Sequence, residues 1–226
     1  MVTGYSKACL GVLTLGQSPR PDITPTLKAV LGGGVSILEA GGLDGLSSEA
    51  VASLAPMPGE TPIETRLQSG KPVLLSKDRL IPRLAEMAIS IKSQCSRVLL
   101  LCSGDFPELS DACPGLIFPV HLLRGVVKSM AAGLTLGVMG PASDMDRAPE
   151  QWRPMARRVV CDAASPYDPS AMIEAAAIRL NWAGADIILL DDMAFTDEHR
   201  RIAAAASSKP VICAAAVTAR VLSDIL

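Results

Sequence analysis

Arg97-Val98-Leu99-Leu100-Leu101-Cys102-Ser103-Gly104-Asp105 and Asp186-Ile187-Ile188-Leu189-Leu190-Asp191-Asp192-Met193 are apolar runs of strand length, and each stops abruptly on a reactive side chain. Short, continuously apolar runs of this kind suit strands buried on both faces of a parallel sheet. In an open parallel sheet, ligands bind outside the carboxyl ends of the strands. A thiol on one such end and a carboxylate on another are therefore placed for chemistry. If two similar halves carry them, they are expected to face one shared cleft.

Working outward from these runs, strand-like and helix-like segments alternate, which predicts an α/β chain with a mostly parallel sheet. Strands are expected at Cys9–Leu15, Val35–Glu39, Val98–Leu101, Leu116–Phe118, Leu134–Met139, Arg157–Cys161, Ile187–Leu190 and Val211–Ala214. Thr65–Leu67 and Val73–Leu75 flank Gln68-Ser69-Gly70-Lys71 and read as a hairpin or two short extended pieces. Helices are expected from Asp22, taken as a cap, to Leu31, over Ser47–Leu54, and from the cap Ser76 to about Gln94. Further helices fall on Leu122–Ala132, around Trp152, and over Pro169–Ala183, Asp197–Ser207 and Val217–Leu226. The scheme repeats, with a boundary near Pro114–Pro119. Residues 1–115 form a first half, which the C-terminal helix (about 215–226) is expected to join, and residues 116–214 form a second half.

Composition narrows the function. The chain has 226 residues, 49% of them hydrophobic and 19% charged, enough to bury a substantial core. A net charge of −2, no basic block and few aromatics argue against a nucleic-acid surface. No apolar run reaches the ~18 residues of a transmembrane helix. Lys7 precedes the apolar run Cys9–Leu15, but that run lacks a small-residue cleavage site and reads as a strand, not a signal peptide. A cytoplasmic location, with no membrane partner, is the expectation. The six cysteines form no CxxC pair, so most are expected to be free, buried and inert. His121 and His199 lack cysteine neighbours at ligand spacing, which argues against a structural zinc site.

Four constellations have chemical content. Cys102 ends a strand and precedes Ser103-Gly104, small residues that bare backbone N–H groups, which favour a thiolate. From spacing alone, a buried structural cysteine is the commoner outcome. Asp191 and Asp192 follow an apolar strand, where adjacent side chains point to opposite faces, so one of the two can face a cleft. The other is expected to pair locally or to cap the helix that begins near Thr196. Gly16-Gln17-Ser18-Pro19-Arg20 offers neutral donors at Gln17 and Ser18 and a guanidinium fork at Arg20, a set suited to a carboxylate; a Pro-rich turn with a solvated arginine fits as well. Gly140-Pro141-Ala142-Ser143 is the matching loop of the second half, where Pro141 and Ala142 allow close backbone approach or simply make a turn. No GxGxxG or Walker loop is present. His199, within Asp197-Glu198-His199-Arg200, is expected on a solvated helix face.

Three of these blocks, Leu13-Thr14-Leu15-Gly16-Gln17-Ser18-Pro19-Arg20-Pro21-Asp22, Leu99–Pro107 and Leu189–Phe195, together resemble the AroM family, and the likeness extends to Thr61–Leu67 and Val217–Arg220. AroM proteins are similar in turn to the aspartate/glutamate (hydantoin) racemase superfamily. That resemblance implies two pseudo-symmetric α/β halves with a site between them, no cofactor, and a cysteine from each half beside the substrate's α-carbon. Cys102 matches the first of those cysteines, whereas the second falls on Asp192, an aspartate here. The resemblance therefore points to a racemase- or isomerase-like enzyme that moves a proton at the carbon next to a carboxylate of a small substrate. Cys102 and Asp192 would be catalytic, and Gln17, Ser18, Arg20, Ser103, Gly104, Pro141 and Ala142 would bind substrate. Decarboxylation of a small dicarboxylate on the same site, or carboxylate binding without turnover, are the alternatives. A homodimer is compatible with such a fold.

Overall fold

The computed structural model describes residues 8–226; Lys7 lies outside them. The chain divides into two compact units. The first runs through Phe118 and takes in Ser223–Leu226, and the second is Pro119–Leu222.

The first unit contains β1 (Ala8–Thr14), α1 (Thr24–Leu31), β2 (Val35–Gly41), α2 (Ser48–Ser53), β3 (Pro62–Arg66), β4 (Pro72–Ser76), α3 (Lys77–Lys92), β5 (Arg97–Leu100), α4 (Pro107–Ala112) and β6 (Leu116–Ile117). Its main sheet has the order β2-β1-β5-β6 and is parallel throughout, with Leu13 of β1 opposite Leu100 of β5. β3 and β4 form a separate antiparallel hairpin. Leu10, Leu13, Leu99 and Leu100 are fully enclosed at the sheet centre. Each such side chain contributes roughly 1.5–3 kcal/mol by leaving water. Leu80, Leu84, Ala88 and Ile91, spaced at helical period along α3, form its buried face.

The second unit contains α5 (Pro119–Ala131), β7 (Thr135–Gly140), α6 (Ala148–Trp152), β8 (Arg158–Ala163), α7 (Ser170–Trp182), β9 (Ile187–Leu190), α8 (Asp197–Ser207), β10 (Val211–Cys213) and α9 (Ala214–Ile225) up to Leu222, the rest of α9 counting with the first unit, with single 3₁₀ turns at Ala142–Asp144 and Arg153–Met155. Its sheet is again parallel, in the order β8-β7-β9-β10. The two sheets thus repeat one topology: β7 stands where β1 stands, β8 where β2 stands, β9 where β5 stands and β10 where β6 stands. Leu136, Val138, Met139, Ile188, Leu189 and Leu190 are fully buried in this second core.

Several local expectations give way to tertiary partners. Asp22 does not cap α1: its carboxylate is taken by Arg20, and Ile23 occupies the N-cap without a side-chain bond. Ser76 does cap α3, accepting the Arg79 N–H. His199 is not simply a solvated surface residue. Its Nδ1 accepts the Thr196 N–H, the Thr196 hydroxyl accepts the His199 N–H, and the imidazole meets Phe195 edge-on, which completes a capping box at the start of α8. Cys9 and Cys95 are joined in a disulfide, a pairing that 86 residues of separation hide from the sequence. Among the described residues the other four cysteines are not in disulfides; Cys113 and Cys213 are buried, and Cys102 and Cys161 are half-buried. Among the described residues no helix is long and apolar enough to cross a membrane, and no three His, Cys, Asp or Glu side chains are grouped to hold a metal ion.

Candidate active site

In the first unit β1 and β5 are neighbours, so the loops that leave their carboxyl ends start side by side. The Leu101 N–H donates to Leu13 O at 2.7 Å and extends the pairing one step past β5. The next residue, Cys102, bends away, its own N–H returning to Leu100 O at 2.9 Å. Its sulfur accepts the Gly104 N–H at 3.2 Å. A backbone donor on sulfur favours the charged, reactive form of a thiol. Ser103 lies between them, half-buried.

The loop after β1 is built by close backbone approach. A Cβ on Gly16 would stand 2.0 Å from the Arg66 carbonyl oxygen, and one on Gly41 would stand 2.4 Å from Gly16 O. Glycine is therefore demanded at both positions. The β3–β4 hairpin then grips Gln17: its N–H donates to Arg66 O at 3.1 Å, and its side-chain oxygen accepts the Gln68 N–H at 2.9 Å. With that oxygen occupied, a ligand would be served by the carboxamide NH₂.

Ser18 and Arg20 are engaged by protein carboxylates. Asp44 accepts the Ser18 N–H at 2.8 Å, the Ser18 hydroxyl at 2.6 Å and the Gly41 N–H at 2.7 Å. The Arg20 guanidinium grips Asp22 through Nε at 2.9 Å and Nη2 at 2.7 Å, and its Nη1 donates to the Thr14 hydroxyl at 3.1 Å. Arg20 is only 8% exposed. The fork that suits a substrate carboxylate is matched by one from its own turn, a bidentate pair of the strong, geometrically specific kind. The Ser18–Pro19 peptide is cis.

In the second unit β7 and β9 are the corresponding neighbours. Asp192 stands two residues past the end of β9, as Cys102 stands two residues past the end of β5. Its Oδ1 accepts the Ala194 N–H at 2.7 Å. Both side chains thus take a backbone N–H from two residues ahead, sulfur in one unit and carboxylate oxygen in the other. Pro141 and Ala142, past the end of β7, open a 3₁₀ turn closed by the Asp144 N–H on Pro141 O at 3.0 Å, with Ala142 exposed.

Asp191 takes the opposite course from Asp192. It is buried, and Oδ2 accepts the Trp152 indole N–H at 2.7 Å, while Oδ1 is enclosed with no partner among the described residues. Burial pushes its carboxyl up to about 7; the Trp152 bond pulls it down, and the Asp192 and Asp144 charges push it up. It caps no helix, since Thr196 performs that task. On β8 the Cys161 thiol is pushed up to about 11 by burial and by the Asp191 charge, which keeps it neutral. The partners Asp44 for Ser18 and Trp152 for Asp191 carried no sequence signal, because both lie across tertiary contacts; Asp44, a lone acid just after the apolar run of β2, was the nearer to being legible.

Solved structures share this fold at low identity. An arylmalonate decarboxylase is 13% identical, with a TM-score of 0.58 over 96% of this chain and 92% of its own. An allantoin racemase from Klebsiella pneumoniae is 13% identical, with a TM-score of 0.56 over 96% and 87%. A glutamate racemase from Aquifex pyrophilus is 12% identical, with a TM-score of 0.56 over 96% and 84%. No curated protein matches the sequence. The AroM protein family model matches residues 10–226, and the chain belongs to that family.

Proposed function

We propose that this protein is an acid–base enzyme that moves a proton at the carbon next to a carboxylate of a small substrate, with Cys102 and Asp192 as its catalytic residues. The observation that carries the reading is the repeated strand-end turn. In topologically equivalent places, one sheet ends on a sulfur and the other on a carboxylate oxygen, each held by the N–H two residues ahead. The racemase and decarboxylase folds among its structural neighbours are consistent with this class of reaction.

As a thiolate, Cys102 takes the proton from carbon and becomes a thiol, while the C–H electron pair moves into the carboxylate as an enediolate. Asp192 takes up a proton from solvent, returns it to that carbon and is again a carboxylate. The Ser103–Gly104 and Pro141–Ala142 loops and the Gln17 NH₂ hold the substrate oxygens, where donors aimed at developing charge have the most effect. Ser18 and Arg20 act one step back: their bonds to Asp44 and Asp22 set the shape of the loop that presents Gln17.

The unlike groups favour a second reading, decarboxylation of a small dicarboxylate. There the C–C electron pair stays on carbon as carbon dioxide leaves, and a single protonation by the Cys102 thiol completes the reaction.

Incubating the protein with a panel of small mono- and dicarboxylates in deuterated water tests both readings. Turnover by proton transfer washes deuterium into the α-position of a recovered substrate, and decarboxylation places it in a shortened product. Cys102→Ala is expected to lose a factor of about 10²–10⁴ or more while keeping its circular dichroism spectrum. Wild-type rates from that variant would sink the proposal, and tight binding of a carboxylate without any exchange would leave a binding protein instead.

A further inference from the structure

We propose that Lys77 is the positioning residue for the Cys102 thiol: it clamps the 105–106 segment so that the Gly104 N–H stays on the sulfur and the thiol ionises more readily. The inference rests on the reading of Cys102 as proton carrier, but its test needs no substrate.

Lys77 is the first residue of α3. Helix N-termini carry partial positive charge, so a cation in the first turn opposes the helix dipole. The position is instead explained by where the side chain goes. Its ammonium donates to the Asp105 carbonyl at 3.1 Å, lies 4.9 Å from the centre of the Phe106 ring, and stands 3.4 Å from a Glu108 carboxylate oxygen. The Lys77 side chain is 19% exposed against 47% for Glu108, so the ammonium is partly withdrawn from water while its carboxylate partner is not. The less solvated contacts, to the carbonyl and the ring, are therefore the stronger constraint.

Those contacts fall on the residues that follow the Cys102 turn. Phe106 is 1% exposed, and its ring edge would lie 3.2 Å from a Cβ on Gly104. The ring thus forms one wall against Gly104, and the Lys77 bond fixes the carbonyl of the residue after it, Asp105. Between them they hold the peptide whose N–H meets the sulfur at 3.2 Å. A main-chain donor stabilises a thiolate only while it stays aligned, and a nearby cation adds to the effect.

The test is the pH profile of Cys102 alkylation in the full chain. It is followed by mass spectrometry of the Cys102 peptide after timed iodoacetamide treatment. In Lys77→Met the midpoint is expected to rise by about one pH unit, equivalent to about tenfold slower labelling at neutral pH. Lys77→Arg, which keeps a cation and a donor, should restore most of the difference. Glu108→Gln should leave the profile in place, since the clamp on the carbonyl and ring survives. If Lys77→Met does not fold, Lys77→Gln takes its place with the same expected direction. A wild-type alkylation midpoint in the folded Lys77 variant, with or without a lower melting temperature, makes Lys77 a structural tie only and overturns the inference. A shifted midpoint combined with an active Cys102→Ala would uphold the role of Lys77 while removing the proposed reaction.

Discussion

Asp191 and Asp192 differ only in which way the chain turns after β9, yet the turn gives one carboxyl a donor on a half-buried loop and encloses the other completely. The enclosed group has a direct thermodynamic consequence. Its carboxyl is displaced from 3.8 to about 7, mainly by burial. Between those values the folded protein holds a proton that the unfolded chain has released, so stability falls as pH rises. The protonated carboxyl contributes stability that is fully present below 3.8 and lost as the pH passes about 7. The displacement corresponds to about 4 kcal/mol. Asp191→Asn keeps an oxygen for the Trp152 indole and carries no charge. It should therefore flatten this part of the pH dependence, as read from urea midpoints between about pH 4 and pH 8. An unchanged slope in that variant would mean that the acid is charged in the fold or titrates with the solvent. Trp152→Phe removes the donor that Oδ2 has among the described residues, and a cost of about 1–3 kcal/mol is expected at neutral pH.

At the scale of elements, the loop after β1 depends on the hairpin beside it. With the Arg66 carbonyl 2.0 Å from where a Gly16 Cβ would stand, Gly16→Ala must move backbone against backbone. We expect a loss of about 1–3 kcal/mol in chemical denaturation and, under the proposed function, weaker carboxylate binding, because Gln17 is held by the same contact. Normal stability with normal ligand affinity in that variant would show that the hairpin is not needed to shape the loop. Much of this architecture was legible in the sequence. Ile187–Leu190 and Asp197–Ser207 have the boundaries their patterns imply, because long or fully apolar runs leave little choice of partner. Cys102 and Asp192 stand just past the ends of such strands, where the sequence places them. What escaped is instructive. α4 spans only Pro107–Ala112, too short for a helical period to repeat. The protein carboxylates that Arg20 and Ser18 bond escaped because a guanidinium and a hydroxyl advertise affinity for carboxylates without saying whose. Asp22, two residues along, has the residue type of a cap but serves as the anion for Arg20.

Across the whole chain, two parallel sheets of one strand order carry the candidate chemistry on the same strand in each, which follows from the alternation of apolar runs and helices read in the sequence. The units differ in their ties. The first holds the Cys9–Cys95 disulfide, which encloses a separation of 86 residues, whereas the four other cysteines are in no disulfide among the described residues. Titration of the denatured, unreduced protein should find four reactive thiols, rising to all six after reduction. Closing a long loop restricts the unfolded chain, so reduction should cost the first unit about 2–4 kcal/mol. The loss should appear as faster amide exchange in β1 and β5 than in β7 and β9. Six thiols before reduction would remove that tie. The two strand-end turns have a further property: the backbone N–H two residues ahead donates to sulfur at 3.2 Å in one and to a carboxylate oxygen at 2.7 Å in the other. Each turn is in effect a socket. Under the proposed function, a change such as Asp192→Cys would exchange the tool without rebuilding the handle.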